Sequence, residues 1–430
     1  MEDEDLKTTR KRAARWCATL LVAATLALPA GCKQAPVLVS GTAPPVPTTP
    51  QVARPTPTPV PAEAQWSVAA YNTLGYRLLN LAPAEGNVVL SPGAAALALD
   101  IMRMGACDDT AVQLDTALGH GTCDEAQVLA SAQTVKGQLT YGSDALRSTL
   151  ALGLFLGEGT AVDERSALAL REELGCDMEF VDHAADKAGE AIPKWVANNT
   201  QGRVKVEQEI LPQAGSVIPV TGTAMGVKLS DDWRRGGSVT RTFTCEDGKT
   251  VETPMVFAKE TIPVYRCELG TLVVLPTADS QTELWLLLPP EGTTVSAFAA
   301  SLNQQLVDNW RTWAQTAEYE IWMPPVDVMS AQDLAPTLGK LGFNSALLGQ
   351  GDYSGLGTLG GPTQFLHAAR LTTMENVPDA ANGITVPQPS TEGLVIEVNQ
   401  PFVAALVNKA DQGILSLALV RQPLDAAAAG

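Results

Sequence analysis

The sequence predicts an α+β fold with large sheets around one large core or two ordinary ones, and three observations lead there. Apolar residues recur at three- and four-residue spacing through the first half of the chain, as on the buried faces of helices. In the second half the pattern changes to short β-branched and apolar runs bounded by Pro, Gly and Asp, which reads as strands buried on both faces. With 430 residues, 45% of them hydrophobic, the chain has apolar surface enough for a sizeable interior. Helices mostly first and strands mostly later argue for large sheets with helices packed on them, not for regular βαβ units.

The helical readings are "WSVAAYNTLGYRLLNLA" (66–82), "SPGAAALALDIMRMGA" (91–106), "DERSALALREELG" (163–175) and "KAGEAIPKWVANNT" (187–200). The strand readings are "TLVVLPT" (271–277), "TELWLLLPP" (282–290), "AEYEIWMPPVDV" (317–328), "LVIEVNQPFVAALV" (394–407) and "GILSLALVR" (413–421). Between the last strands lies "MENVPDAANGITVPQPSTEG" (374–393), rich in Pro, Ala, Gly and small polar residues. Structureless loops longer than about 12–15 residues are uncommon inside compact domains and tend to be functional.

The N-terminus reads as an export signal, residues 1–31. Lys7, Arg10, Lys11, Arg12 and Arg15 form a positive region, and "CATLLVAATLAL" is apolar but too short to span a bilayer. The ending "LPAGC" resembles a bacterial lipobox, which implies lipidation of Cys32 and a membrane partner through that anchor; ordinary secretion is the alternative. Residues 32–64 are Pro/Thr-rich and act as a semi-rigid spacer, the folded domain runs over 65–424, and 425–430 form a loose tail. An extracellular location makes disulfides possible. Cys107–Cys123 and Cys245–Cys267 are the sequence-near pairings, with buried thiols as the alternative.

The net charge of −18 leaves no basic excess to neutralise phosphates, which argues against a nucleic-acid partner. Catalytic constellations are thin. The three histidines, His120, His183 and His367, form no HExxH or other ligand spacing, so the sequence supports neither a metal site nor a cofactor. A Gly-x-Ser-x-Gly elbow is missing. The letters GxGxxG do occur at Gly355, Gly357 and Gly360, but no strand precedes them and Pro362 follows, so this stretch is a loop. Asp108–Asp109 and Asp231–Asp232 read as solvated turn or cap residues.

Several longer stretches resemble one family. "NVVLSPGAAALALDIMRMGACDDTAVQLDTALG" (87–119) is similar to the serpin segment in which Asn, an apolar run and Ser-Pro lead into a helix, followed by Gly-Ala, Thr, Gln and Leu-Gly. "IPKWVANNTQGRV" (192–204), "FTCEDGKTVETPMV" (243–256) and "MPPVDVMSAQDLAPTLGKLGFNSALLGQGDYSGL" (323–356) resemble later serpin segments, and "FLHAA" (365–369), Glu375 and "NQPFVAALV" (399–407) follow in family order.

The resemblance implies a serpin fold: helices around one large central sheet and two smaller ones, with residues 374–393 as an exposed reactive loop. It also implies a monomer without catalytic residues of its own, whose partner is a serine protease or, alternatively, a cysteine protease. Such a protease cleaves the loop, which then enters the main sheet as a new strand. The hinge falls on Glu375, Asn376, Val377, Pro378, Asp379, Ala380, Ala381 and Asn382. Glu375, Asp379 and the two alanines keep the family pattern, whereas Val377 stands for a Gly and Pro378 for a Thr.

Counting from both ends places the scissile region at Ser390, Thr391 and Glu392. Small residues there, with no Lys or Arg nearby, suit elastase- or subtilisin-like pockets. Ser91 and His367 match the region where the sheet opens, and Thr221-Gly222 replaces the family's Asn-Ala. The alternative is a non-inhibitory serpin used for binding or scaffolding, because Pro378 and Val377 break the hinge.

Overall fold

A computed structural model describes residues 65–423 except 122, 183–188, 231–232, 345, 348 and 374–393. Helix α1 (Gln65–Asn80) leads through β1 (Val88–Leu90) into α2 (Pro92–Gly105), which starts on a proline at its first turn and is buried along its whole length. Next come α3 (Asp108–Leu118), stopped by left-handed Gly119, and α4 (Glu125–Thr140), opened by a reciprocal capping box between Asp124 and Gln127.

Strand β2 (Leu146–Leu156), β3 (Ala161–Val162), α5 (Glu164–Leu174), β4 (Cys176–Phe180), α6 (Ala191–Asn199) and β5 (Val217–Val227) follow. The rest is β6 (Arg234–Thr244), β7 (Thr250–Cys267), β8 (Gly270–Pro276), β9 (Thr282–Leu288), α7 (Val295–Ser301), α8 (Gln304–Trp313), β10 (Gln315–Met323), β11 (Asp327–Asp333), α9 (Ala335–Leu338), β12 (Gly357–Thr358), β13 (Leu366–Thr372), β14 (Leu394–Glu397), β15 (Phe402–Asn408) and β16 (Ile414–Val420). Among the described residues no helix is long and apolar enough to cross a membrane.

Two sheets carry the architecture. The first has five strands in the order β11-β13-β5-β2-β4. The second runs β1-β16-β15-β9-β8-β7-β10-β14, with β6 also on β7. Its two halves share β7, which pairs with β6 and β10 over Thr250–Val264 and with β8 only over Val264–Cys267. Strands β15 and β16 are buried at every residue and anchor this sheet in the core.

Strand prolines obey a single rule. Pro219 pairs only with β2, Pro254 only with β6, Pro263 only with β10 and Pro276 only with β9. Proline has no N–H to give, so each sits where its strand has one neighbour and no second ladder goes short.

Three expectations change. "AEYEIWMPPVDV" is two strands in different sheets, because Pro324-Pro325 ends β10 before β11 begins. The glycine-rich stretch at 351–363 holds a short strand, β12, whose Gly357 at φ 140 lies so close to β3 that a Cβ would meet Ala161 O at 2.2 Å. Cys123, Cys245 and Cys267 are thiols, so neither sequence-near disulfide forms.

One polar network is buried among α1, α2, α3 and the turn after α3. Asp100 accepts from the Tyr71 hydroxyl (2.6 Å) and meets His120 Nε2 (2.9 Å). His120 Nδ1 meets Asp115 (2.8 Å), which Arg103 grips with two bonds of 2.7 Å.

Candidate functional site

The five-stranded sheet has an unusual middle. Its central pair, β13 and β5, runs parallel in register from Leu366↔Val220 to Thr372↔Gly226, while each is antiparallel to its other neighbour. A strand entering here in the opposite direction would be antiparallel to both. The chain leaves β13 at Thr372. After residues 374–393 it resumes as β14, pairing parallel to β10 in the other sheet. The segment is therefore fastened at both ends, in two different sheets.

The seam is lined by small residues in its middle. There Ala368 and Ala369 face Gly222 and Thr223, so little side-chain surface parts, whereas Leu366 faces Val220 and Leu371 faces Met225 towards its two ends. On one face α6 lies across β2 and β5 in close contact. A Cβ at Gly153 would meet Trp195 at 2.9 Å, and one at Gly222 would meet Thr200 and Val196 at 3.1 and 3.2 Å. Trp195 also stands edge-on to Phe155, centroids 5.2 Å apart.

Across the seam runs a side-chain bond. His367 on β13 and Thr221 on β5 are register partners, and His367 Nδ1 lies 2.6 Å from Thr221 Oγ1. His367 Nε2 accepts the backbone N–H of Ser91 (3.0 Å), so the neutral ring carries its proton on Nδ1 and donates it to Thr221. This brings Ser91 and His367 together at the start of α2, although the Ser91 hydroxyl itself is buried without a hydrogen-bond partner among the described residues. Thr221, noticed in the sequence only as a departure from the family pattern, supplies the bridge.

Strand β13 is clamped to β11. Arg370 holds Asp327 with two 2.8 Å bonds, and Thr373 exchanges backbone and side-chain bonds with Val326 at 2.8 and 2.9 Å. The Ser330 hydroxyl ties β11 in turn to Val89 of β1, donating and accepting at 3.0 Å. Opening is therefore easier on the β5 side. On the far side, β14 is latched by its ladder to β10 and by Val398 N–H to Trp322 O (2.8 Å), with Arg241 seated on the Trp322 ring at 4.4 Å.

Two buried histidines set opposite pH limbs. Burial pushes the pKa of His367 down to about 4. For His120 burial acts downward too, but the hydrogen bonds and charges of Asp100 and then Asp115 outweigh it and hold the pKa up at about 9. Protonated His120 therefore adds stability as pH falls from about 9, complete below its ordinary value of 6.5. His367 takes stability away as pH falls from 6.5 towards about 4, because the unfolded chain protonates first. Stability from this pair peaks near pH 6.5. Urea midpoints measured from pH 4 to 10 should fall on both sides, and Thr221→Val together with His367→Gln should flatten only the acid limb.

The hinge residues Glu375, Asn376, Val377, Pro378, Asp379, Ala380, Ala381 and Asn382, the scissile residues Ser390, Thr391 and Glu392, and Cys32 lie outside the described residues.

Comparison with known proteins agrees with this geometry. A family model described as "Serpin (serine protease inhibitor)" matches residues 69–423. Serpin A3-1 of Bos taurus is 26% identical over 362 residues, covering 82% of this chain and 87% of the bovine protein. The native-state structure of the thermophilic serpin Tengpin superposes with a TM-score of 0.74 at 17% identity, covering 85% of this chain and 96% of Tengpin. A thyroxine-binding globulin complex with thyroxine gives 0.71 at 20% identity, covering 83% and 99%. With a parallel seam at the centre of one sheet, a segment whose two ends are held in different sheets and a family match over residues 69–423, the chain belongs to the serpin family.

Proposed function

We propose that this serpin inhibits serine endopeptidases with small-residue pockets, of elastase or subtilisin type, and is consumed in doing so. One observation carries the reading: the parallel β13/β5 pair, which an upstream piece of 374–393 can enter by folding back from Thr373. The protease serine attacks the scissile carbonyl near Ser390–Thr391, the C–N bond breaks, and the new amine leaves on the downstream fragment. The upstream fragment stays joined to the protease as an ester. Release from the β14 tether then lets that fragment insert, carrying the acylated protease with it.

Insertion competes with hydrolysis of the ester by water, and Pro378 weighs on that race. An inserted strand has a neighbour on each side, so Pro378 would be the exception to the one-ladder rule that Pro219, Pro254, Pro263 and Pro276 obey. The partner carbonyl it leaves unmatched costs about 1–3 kcal/mol. If that cost falls on the insertion barrier, insertion slows roughly five- to a hundredfold.

Incubation with elastase or subtilisin should give a covalent complex that survives boiling in SDS, alongside much cleaved serpin. Pro378→Thr should raise the complexed fraction severalfold. Cleavage near residues 390–392 with no complex, from wild type and Pro378→Thr alike, would leave the second reading, a non-inhibitory binding or scaffold serpin. Val377 and Pro378 favour that reading, and thyroxine-binding globulin is a structural relative whose complex holds thyroxine.

A further inference from the structure

A cleft of about 490 Å³ opens where the end of α4, the start of β2 and the end of α6 meet. Its size lies within the range of about 300–1,000 Å³ usual for small-molecule sites. Strand β4 pairs with β2 only over Leu152–Leu156, so the outer side of Ser148–Leu150 has no strand beside it. The walls are Thr140 and Tyr141 from α4, Ser148 and Thr149 from β2, and Asn199 and Gln201 from the far side.

Thr149 is the telling residue. It is only 9% exposed, lines the cleft, and its hydroxyl has no hydrogen-bond partner among the described residues. A buried hydroxyl left unmatched costs about 1–3 kcal/mol, which a ligand with a hydrogen-bonding group at that point would recover. The Ser148 hydroxyl donates to Tyr141 O, which leaves its oxygen lone pairs to accept from a guest, and the Thr140 hydroxyl donates to Lys136 O (2.9 Å).

We propose that this cleft binds a neutral polyhydroxylated molecule, a sugar of one or two rings. No charged side chain lines it, so an ion would enter without a counter-charge. Hydroxyls and carboxamides that both give and accept hydrogen bonds match the donors and acceptors of sugar hydroxyls. The Tyr141 ring and Leu150 supply apolar surface for the C–H face of a sugar ring. Sugar binding here requires neither cleavage nor insertion of residues 374–393.

Isothermal titration of the whole chain with glucose, maltose, cellobiose and sucrose, and with glucuronate as the charged control, tests this. At least one neutral sugar should bind. Thr149→Val keeps the shape and removes the hydroxyl, and should weaken that sugar about tenfold. Gln201→Gly removes an amide from the opposite wall at a position with φ 57, which glycine adopts freely, and should weaken it as well. Heat from none of the neutral sugars, binding undiminished in both variants, or glucuronate binding as tightly as its neutral counterpart would each overturn the proposal.

Discussion

A single cut in residues 374–393 should raise the melting temperature by about 7–14 °C. Entry of the freed strand replaces the one β13/β5 ladder, seven register pairs long, by two ladders of similar length. The net gain is one such ladder, about seven backbone hydrogen bonds at about 1 kcal/mol each. For a domain larger than 250 residues each kcal/mol is worth about 1–2 °C. Small residues at the middle of the seam limit the loss on parting the strands, while separating Leu366 from Val220 and Leu371 from Met225, lifting α6 off Gly153 and Gly222 and breaking His367–Thr221 oppose the gain. Thermal scans of intact and nicked protein decide the matter, and an unchanged midpoint would remove insertion from the account.

Asp100→Ala should cost about 3–5 kcal/mol, the range for breaking a buried charge network at one member. The carboxylate is fully buried and takes bonds from both Tyr71 and His120. Without it the Tyr71 hydroxyl loses its acceptor and the His120 cation loses one of two carboxylates, the other, Asp115, being shared with Arg103. Asp100→Asn retains the volume and one acceptor and should lose roughly half as much. Chemical denaturation gives the magnitudes. The alkaline limb of the pH profile supplies a check, because it should shrink in Asp100→Ala, whose His120 pKa falls back towards 6.5.

Much of this fold can be read from the sequence because its helices announce themselves. Ser91-Pro92 followed by an apolar run is a helix start, and Asp163 and Gly175 bracket α5 as cap and stop. The strands were harder. Pro254 and Pro263 argue locally against an 18-residue strand, and only the pairing pattern, in which each proline has one neighbour, explains why β7 tolerates them. Likewise the Pro324-Pro325 pair ends one sheet and opens another, a change of partner that no local pattern encodes.

The seam was partly legible. The family resemblance selected Ser91 and His367, but Thr221 becomes a partner only once β5 and β13 are placed in register. Asp100 and Arg103 did carry a signal, two charges in an otherwise apolar and wholly buried helix. Their partners Asp115 and His120 lie 12 to 20 residues on, beyond the reach of helical periodicity.

The depth of β15 and β16 has a consequence for handling the protein. Both lie in the interior of the nine-stranded sheet, β15 between β16 and β9 and β16 between β1 and β15, with every residue covered. The C-terminal fragment made by a cut therefore cannot diffuse away without stripping the core. Cleaved molecules that have shed the protease therefore keep nearly the mass of intact ones and elute with them from a sizing column. Counting spent molecules in a preparation requires unfolding them first.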